Sequence, residues 1–310
     1  MLKLNINWVD NLKFIGILAV ILGHISSPFS SFIFAWHMPL FFIVAGFFIN
    51  FTEDFKTFFL KSFKRLMLPY FIFSLIGLSI EIIKRNLLNR ESIDILNELQ
   101  GIFIYMDMES LINSYAFVLW FLPALFFAKL ILYLIKNYVR NKIIQILVVL
   151  VLFLISFQVE LPFGLDNALN GLIFIFIGNI YFDSYQDSKL LYVLPFIAIG
   201  IAFFFIPALD MASKNYDNLF INIIFSISTI YLFIMMFKYL NITNSFLTTW
   251  GNNSMLLFIF HPYTNNVGHI FVEKLQFGDW YLKLLISLTL LQVLLYIKIK
   301  FENRGIFKYV

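Results

Sequence analysis

Apolar residues occupy the chain in long runs that are separated by polar segments. About ten of these runs have the length that a helix needs to cross a hydrocarbon core about 30 Å thick. The polar segments are short, apart from one connection at residues 85–114. The pattern predicts an all-α polytopic membrane protein. Its ten predicted transmembrane helices lie near residues 12–27, 32–50, 66–84, 115–135, 143–158, 167–183, 190–207, 218–238, 253–272 and 281–300.

The long connection contains apolar residues at helical spacing. Ile93, Leu96 and Leu99 recur at every third position, and Ile102 and Phe103 follow in the same series. Such spacing indicates an amphipathic helix with one apolar face. We expect this segment to lie on the membrane surface rather than to cross the bilayer.

The composition supports the same class and excludes several others. The 310 residues are 61% hydrophobic and only 13% charged, which is far more apolar than a soluble domain of this length. The net charge of +4 is spread over loops without a dense basic stripe, so no nucleic acid is expected as a partner. The absence of cysteine excludes disulfides, a thiolate nucleophile and Cys-ligated zinc. A single integral-membrane domain over residues 1–310 is expected, with the lipid bilayer around it.

The distribution of basic residues predicts the orientation in the membrane. With ten crossings and a cytoplasmic N-terminus, fourteen of the 22 Lys and Arg residues fall on the cytoplasmic side and six on the other. Cytoplasmic loops carry such an excess, so both termini are predicted to be cytoplasmic. A cleaved signal peptide is the alternative, but Asp10 and Lys13 interrupt the region before the first apolar run. The first helix is therefore expected to be retained.

Three ionisable side chains lie in the first two predicted helices. Lys13 and His24 are separated by a spacing that returns to nearly the same helix face after a rise of roughly 16 Å. A turn at residues 26–31 then folds the second helix back, so that His37 is expected at about the depth of His24. Because ionisable groups inside a membrane are costly and mark functional sites, this hairpin is predicted to form the core of an active site. An imidazole there can take a proton from a hydroxyl or carry an acyl group.

Each of these side chains also has a structural interpretation. His24 can be a neutral ring that is hydrogen-bonded between helices, and Lys13 can pair with Asp10 three residues earlier. His37 precedes Pro39, which removes a backbone donor and is expected to kink the second helix. His37 can therefore be polar packing at that kink. The alignment of Lys13 with His24 favours function for His24, whereas both interpretations stay open for His37.

Further polar candidates lie later in the chain. Lys64 and Arg65 form a basic cluster before the third helix, which either marks topology or attracts phosphate groups. Trp120 is placed as an interfacial aromatic anchor. Asn and Ser at residues 252–254 are expected to cap the ninth helix, and His261 follows within that helix with structural and site roles both open. Trp120 and His261 are retained as candidates for contact with the substrate.

The motifs resemble those of one known family. Asp10-x-x-Lys13-x10-His24 and Phe34-x-x-His37-Met-Pro-Leu-Phe-Phe-x-x-x-Gly46 are similar to the start of the membrane acyltransferase-3 family, and most similar to its fucose 4-O-acetylase-like sugar O-acetyltransferases. The resemblance extends over most of the chain and is most specific in the first hairpin. Later motifs that share it are Lys64-Arg65-Leu-x-x-Pro69-Tyr70, Leu119-Trp120-Phe121-Leu122-x-Ala124-Leu125-Phe126, and Gly251-x-x-Ser254 with His261-Pro262.

This resemblance implies a fold, a donor and a site. It implies ten membrane helices in the cytoplasmic (inner) membrane of a bacterium, and transfer of an acetyl group from cytoplasmic acetyl-CoA to a glycan of the cell envelope. It also implies that Lys13 and His24 are the essential pair, with no metal. Many members have Arg where this chain has Lys13, and Lys makes no bidentate phosphate contact. Relatives often have Ser where this chain has Ala45. Both departures leave the exact contacts to the donor open.

One mechanism and one alternative follow from these expectations. Lys13, Lys64 and Arg65 are expected to hold the phosphates of acetyl-CoA, while His24 deprotonates the acceptor hydroxyl or takes up the acetyl group, with His37 assisting. Succinyl-CoA or another acyl-CoA is an open alternative as donor. A proton-coupled transporter or flippase for a lipid-linked sugar is the alternative from another class, because many helices with buried histidines also suit a carrier.

Overall fold

The regular structure of the chain is almost entirely helical. The computed structural model describes residues 7–185, 188–240, 242, 244–301 and 304–309, so that Lys3, which was counted on the cytoplasmic side, lies outside the described residues. A short antiparallel hairpin of β1 (Leu209–Asp210) and β2 (Asn215–Tyr216) interrupts the helices. The main helices are α1 (Asn7–Gly23), α2 (Ser30–Phe34), α3 (His37–Gly46), α4 (Phe55–Leu87), α5 (Ile95–Gln100), α6 (Tyr115–Tyr138), α7 (Lys142–Ile155), α8 (Pro162–Tyr185), α9 (Lys189–Phe204), α10 (Leu219–Leu240), α11 (Ser245–Asn252), α12 (Ser254–Leu275) and α13 (Trp280–Lys300).

Each predicted membrane segment overlaps a helix, but the helices differ in length and polarity. Among the described residues, five helices are long and apolar enough to cross a membrane, namely α4, α6, α8, α10 and α13. α1 has 17 residues and α7 has 14. α12 has 22 residues but contains a polar stretch from His261 to Asn266. The structure therefore supports an all-α multi-pass membrane protein, whereas ten crossings and cytoplasmic termini stay predictions.

Two groups of helices share one apolar core. α8 lies in the middle of one group and packs against α3, α6 and α7. α1 lies in the middle of the other group and packs against α10, α11 and α12, while α12 packs along α13. α1 also contacts α3, which joins the two groups. Both ends of the sequence therefore meet around α1.

The second predicted helix is broken rather than kinked. α2 and α3 are separated at residues 35–36, and Pro39 lies in the first turn of α3, where a missing N–H disturbs a helix least. The carbonyl of Ala35, four residues before the proline, instead accepts a hydrogen bond from the hydroxyl of Ser226 on α10. The kink predicted at Pro39 is therefore wrong in position, because the proline starts a helix instead of interrupting one.

The long connection forms only a short helix, α5, which continues into a π turn at Gly101–Tyr105. Ile102 is completely buried, whereas Leu96 is 67% exposed. Glu98 is buried instead, and its Oε1 accepts from Nδ2 of Asn113 at 3.1 Å. Ile93 and Leu99 pack against the core together with Ile102, whereas Leu96 and Phe103 are exposed, so the predicted apolar positions do not all face the core. The position of this segment on the membrane surface stays a prediction.

α11 and α12 meet at a tight junction beside the start of α1. A Cβ atom on Gly251 would lie 2.0 Å from the backbone oxygen of Asp10, so only glycine permits this approach of α11 to α1. Asn253 makes no side-chain cap to α12, which corrects the predicted capping role. Its amide instead donates to the carbonyl of Thr249 at 2.7 Å, and its Oδ1 accepts from Nζ of Lys298 at 2.5 Å. These contacts fix α1, α11 and α13 to one another.

Candidate functional site

A polar cleft opens where the C-terminal end of α1 meets α6, α12 and α13. Its volume is about 370 Å³, within the range of roughly 300–1,000 Å³ that is typical of small-ligand sites. In a bundle of apolar helices, a concentration of polar groups marks a candidate functional site. The polar side chains that line this cleft are His24, Ser26, Asn265, Asn266, His269 and Lys283.

His24 is brought to the cleft by the end of α1. The helix ends one residue earlier, and the backbone N–H of His24 still donates to the carbonyl of Val20 at 3.3 Å. The chain then reverses at Ser26, which has a positive φ of 57°. The hydroxyl of Ser30 closes the turn by donating to the backbone carbonyl three residues before it, at 2.9 Å. The imidazole of His24 is therefore held at a helix end and is exposed to the cleft.

Three rings surround the imidazole of His24. Phe34 and Phe117 contact it edge-on, with ring centroids 5.6 and 5.9 Å from that of His24. The ring of His261 is closer, with 5.2 Å between the centroids and an angle of 36° between the planes. The structure thus places His261, for which the sequence left two roles open, directly beside His24.

His261 is completely buried and presents one free acceptor atom. Its Nδ1 lies 2.6 Å from the carbonyl oxygen of Phe258. Since a carbonyl only accepts, Nδ1 carries the proton and Nε2 keeps its lone pair. Among the residues that the structure describes, no group donates to Nε2. A buried acceptor without a donor is costly, so Nε2 of His261 can still accept a hydrogen bond from a group that enters this region.

His37 lies close to His24, but its ring binds a backbone carbonyl and does not line the cleft. It is buried, and its Nδ1 is 2.9 Å from the carbonyl oxygen of Ile33, across the break between α2 and α3. The ring of Phe34 contacts both imidazoles, with its centroid 5.1 Å from that of His37 and 5.6 Å from that of His24. The structure therefore places the two histidines near each other, while the cleft wall itself is formed by other residues.

The amide of Asn265 holds the end of α1. Its Nδ2 donates to the carbonyl of Ile21 at 3.0 Å, and carbonyls in the last turn of a helix lack helical donors. Its Oδ1 accepts from the hydroxyl of Ser287 on α13 at 2.6 Å, and that hydroxyl lies 2.7 Å from Oγ1 of Thr264. α12 and α13 thereby fix the helix end that carries His24. Sequence reasoning missed Asn265, because nothing in its local pattern reveals a partner on α1.

Lys13 lies in the N-terminal half of α1, whereas His24 follows the C-terminal end of this helix. Its Nζ is 2.8 Å from Oδ1 of Asp10, which is the ion pair that the spacing allowed, and its side chain is 23% exposed. α1 is helical throughout the interval up to Gly23, so the rise of roughly 16 Å to the position of His24 applies. An ammonium that makes one ion pair keeps further N–H donors for a ligand.

Lys64 and Arg65 lie on α4, whereas Lys13 lies on α1. Both are exposed on a π turn within α4, which packs against α6. Within the part of the chain that the structure describes, neither forms an ion pair with an acidic side chain. Lys129 on α6 lies close enough to Arg65 for their charges to repel. Lys64, Arg65 and Lys129 form a basic cluster, of which the sequence analysis predicted the first two.

Trp120 does not lie at the cleft wall. It is 6% exposed and contacts Phe121 edge-on, with ring centroids 6.3 Å apart. Phe117, earlier on the same 3₁₀ turn, is the ring that contacts His24 and lines the cleft. Burial inside the bundle does not fit the predicted interfacial anchor. The sequence identified the right segment, but the residue at the cleft is Phe117.

The β1–β2 hairpin brings an acidic residue near His24. β1 packs against α2, and the charge of Asp210 acts on His24. Oδ1 of Asp210 accepts from the backbone N–H groups of Ala212 and Ser213 at 2.9 and 3.4 Å, which fixes the carboxylate. A carboxylate near an imidazole stabilises its protonated form. Asp210 ends the short strand β1 in a segment without a motif, so no local pattern indicated it.

The hairpin is itself anchored on α8. The hydroxyl of Tyr216 donates to Oδ1 of Asn170 at 2.7 Å. Burial raises the pKa of Tyr216 well above its usual value, so this hydroxyl keeps its proton. The ammonium of Lys214 pairs with the carboxylate of Asp166. The loop that carries Asp210 is therefore held in place by one neutral and one ionic contact.

Comparison with known proteins gives one match. The model of a family described as an acyltransferase domain matches residues 6–299 of this chain. No curated protein matches the chain. No solved structure matches it either. The family match includes α1, α12 and α13, which build the cleft.

Proposed function

We propose that this chain, which belongs to the acyltransferase-3 family, is a membrane O-acetyltransferase in which His24 acts directly in the transfer of the acetyl group. In this proposal the acetyl group passes from cytoplasmic acetyl-CoA to a hydroxyl of a cell-surface polysaccharide or its lipid-linked precursor. The family match and the apolar helices support a membrane acyltransferase. The observation that carries the finer proposal is the position of His24, at the end of the helix that bears Lys13 and at the wall of a polar cleft.

The two ends of α1 suit the two substrates. The acceptor sugar binds in the cleft, where side chains of α12 and α13 provide polar contacts. The phosphates of acetyl-CoA would be held by Lys13 together with Lys64 and Arg65, and Lys129 adds a further positive charge to the latter two. The acetyl end of the extended donor would then reach His24 along α1.

His24 acts on the acceptor in one of two ways. As a general base it takes the proton of the attacking hydroxyl, the new C–O bond forms at the thioester carbonyl, and the C–S bond breaks as the proton passes to the leaving thiolate. As a carrier it forms an acyl-imidazole with release of coenzyme A, and the acceptor hydroxyl then attacks that group. In both routes a positive charge develops on His24. In this proposal the negative charge of Asp210 and the acceptor Nε2 of His261 would stabilise it.

Amide groups beside His24 suit the negative charge that develops on the carbonyl oxygen. Asn266 uses one N–H for the hydroxyl of Tyr115 at 2.8 Å, and Asn265 uses one for the carbonyl of Ile21. A carboxamide has two N–H donors, so each retains one for an oxyanion in the cleft. Preorganised donors of this kind are a main source of rate enhancement in acyl transfer.

The deciding experiment supplies acetyl-CoA, labelled in the acetyl group, to membranes that contain the protein. Label is expected in the glycan fraction with the wild-type protein. For His24→Ala we expect a loss of at least about 100-fold, the lower end of the effect of a general base. His269→Ala is the matched control, because His269 also lines the cleft but lies at its exposed rim, bound to Glu273 at 3.0 Å. Full transfer by His24→Ala would contradict the mechanism.

The same membranes separate the proposal from a carrier. A transporter or flippase would move a lipid-linked sugar without consuming acetyl-CoA. If acetyl-CoA is not consumed when an acceptor is present, the carrier becomes the better explanation. Replacing the donor with succinyl-CoA in a parallel arm identifies the acyl group. An acylated protein that accumulates without acceptor and is cleaved by hydroxylamine would show that His24 carries the group rather than acting as base.

A further inference from the structure

The cleft beside His24 carries an excess of positive charge at its outer wall. Lys283 lines it, and Lys84 lies over the ring of Tyr115 with its Nζ 4.8 Å from the ring centroid. The cleft lining, as far as the structure describes it, contains no acidic side chain. The wall is therefore arranged for a ligand that brings a negative charge of its own.

The acidic residues around this wall are already occupied. Glu81 pairs with both Lys84 and Arg85, which leaves that trio with one net positive charge. Glu273 lies 3.0 Å from His269. Asp279 caps α13 by accepting from the N–H of Trp280 at 2.7 Å. None of these carboxylates neutralises the lysine that lines the cleft.

Lys283 is the cation that remains unmatched. Among the residues that the structure describes, it forms no ion pair and its ammonium makes no hydrogen bond. Gly268 on α12 allows the backbone of α13 to approach closely at this residue, since a Cβ there would lie 2.8 Å from the carbonyl oxygen of Lys283. The crossing of the two helices thus fixes the lysine at the cleft wall.

The neighbouring polar groups suit a sugar. Tyr263 stacks on the ring of Tyr115 with centroids 4.4 Å apart, and Lys84 lies over the same ring, so Tyr115 contributes its hydroxyl to the site rather than a free ring face. The amides of Asn265 and Asn266 offer donors and acceptors for the hydroxyl groups of a sugar. A sugar bound in the cleft would be enclosed between His24 and Lys283.

We propose that the acceptor is an anionic sugar, whose carboxylate or phosphate binds the ammonium of Lys283 while one of its hydroxyls faces His24. This inference rests on the proposed function and adds the chemical class of its acceptor. The carboxylate of a uronic acid within a glycan and the phosphate of a lipid-linked sugar share the chemistry that Lys283 recognises. Both place an anion close to the sugar ring.

The test measures binding to the purified protein without acetyl-CoA. The three probes are methyl glucuronide, glucose 1-phosphate and, as the neutral reference, methyl glucoside. For the wild-type protein we expect an anionic probe to bind about fivefold more tightly than the neutral one, as one partly exposed ion pair provides. A preference for the glucuronide identifies a glycan carboxylate as the source, and a preference for the phosphate identifies a lipid-linked sugar. Equal binding of all three would overturn the proposal.

Variants locate the effect at Lys283. In Lys283→Gln the preference for the anion is expected to disappear, while Lys283→Arg keeps it because the charge remains. Lys274→Gln is the control, since Lys274 is an exposed lysine in the last turn of α12 that does not line the cleft. A preference that survives in Lys283→Gln would also overturn the proposal.

Consumption of acetyl-CoA in the same preparations keeps this test separate from the proposed function. If acetyl-CoA is consumed in a His24-dependent way but no anion is preferred, only the acceptor class is wrong. If the anion is preferred through Lys283 but acetyl-CoA is not consumed, the acyltransfer is wrong and the cleft belongs to a binding or transport site.

Discussion

Two open cavities in this protein differ in the chemistry of their walls. The cleft at His24 has about 370 Å³ and carries six polar side chains from three parts of the chain. The other cavity, of about 180 Å³, lies between α3, α8, α9 and α10, and isoleucine, leucine and tyrosine line it throughout. An apolar groove is what a bilayer fills by default, whereas polar groups at this density are costly without a task. In a membrane protein, the polarity of a cavity therefore indicates chemistry better than its enclosure does.

The largest effect is expected when a polar ring beside His24 is replaced by an apolar one. In His261→Phe an aromatic ring remains but the Nε2 acceptor is lost. Loss of one hydrogen bond to a charged group, about 1.5 kcal/mol, corresponds to a fall of roughly tenfold in kcat. Labelled acetyl transfer measures it. His261→Gln retains an acceptor and is expected to lose less. Equal losses in the two variants would show that His261 only packs.

A smaller effect is expected when the support of the cleft is removed. Asn265→Ala leaves the carbonyl of Ile21 without its donor, which costs about 1–3 kcal/mol for a buried group. We expect a lower melting temperature in detergent and a fall in transfer of roughly fivefold, as 1 kcal/mol in the position of His24 would give. Thr264→Val is the comparison, because it keeps Asn265 and Ser287 in place. An unchanged melting temperature in Asn265→Ala would mean that the end of α1 is held in another way.

The basic cluster is expected to affect the donor rather than the cleft. In Arg65→Gln the KM for acetyl-CoA should rise about threefold with kcat unchanged, as loss of one exposed ion pair predicts. Lys56 is a second exposed basic residue on α4, and Lys56→Gln should leave the KM for acetyl-CoA unchanged. A fall in kcat without a change in KM would place Arg65 outside the donor site.

The smallest effect is expected in the apolar groove. Ile227→Phe adds volume to its wall without adding polarity. We expect acetyl transfer within about twofold of wild type, the range of a surface substitution of about 0.5 kcal/mol or less. A loss as large as that of His261→Phe would show that the groove, too, takes part in the reaction. The contrast between the two cavities would then no longer hold.

The sequence was sufficient for α1 and insufficient for the rest of the cleft. Helical spacing predicts that Lys13 can pair with Asp10 and that His24 follows on the same helix, and both are local properties. The break between α2 and α3 is not visible in the hydropathy pattern, because apolar residues continue across it at Ala35 and Trp36. Pro39 gave the only signal, and it marks a helix start.

The partners of His24 could not be found in this way. His261 contacts its ring, Asn265 binds the carbonyl of Ile21 in the same helix end, and the charge of Asp210 acts on it. All three come from segments far along the chain, and no periodicity predicts such tertiary packing. Their local signals were a proline next to a histidine and a polar stretch within an apolar helix. These signals locate a region of interest but do not pair it with α1.

The contact from Asn265 to the end of α1 joins residues 244 positions apart in the chain. During synthesis α1 is made well before α12 and α13. The helix end that precedes His24 therefore has no contact from Asn265 until these later helices have been made and have packed against α1. The cleft around His24 is thus a product of late tertiary packing, although His24 itself is made early.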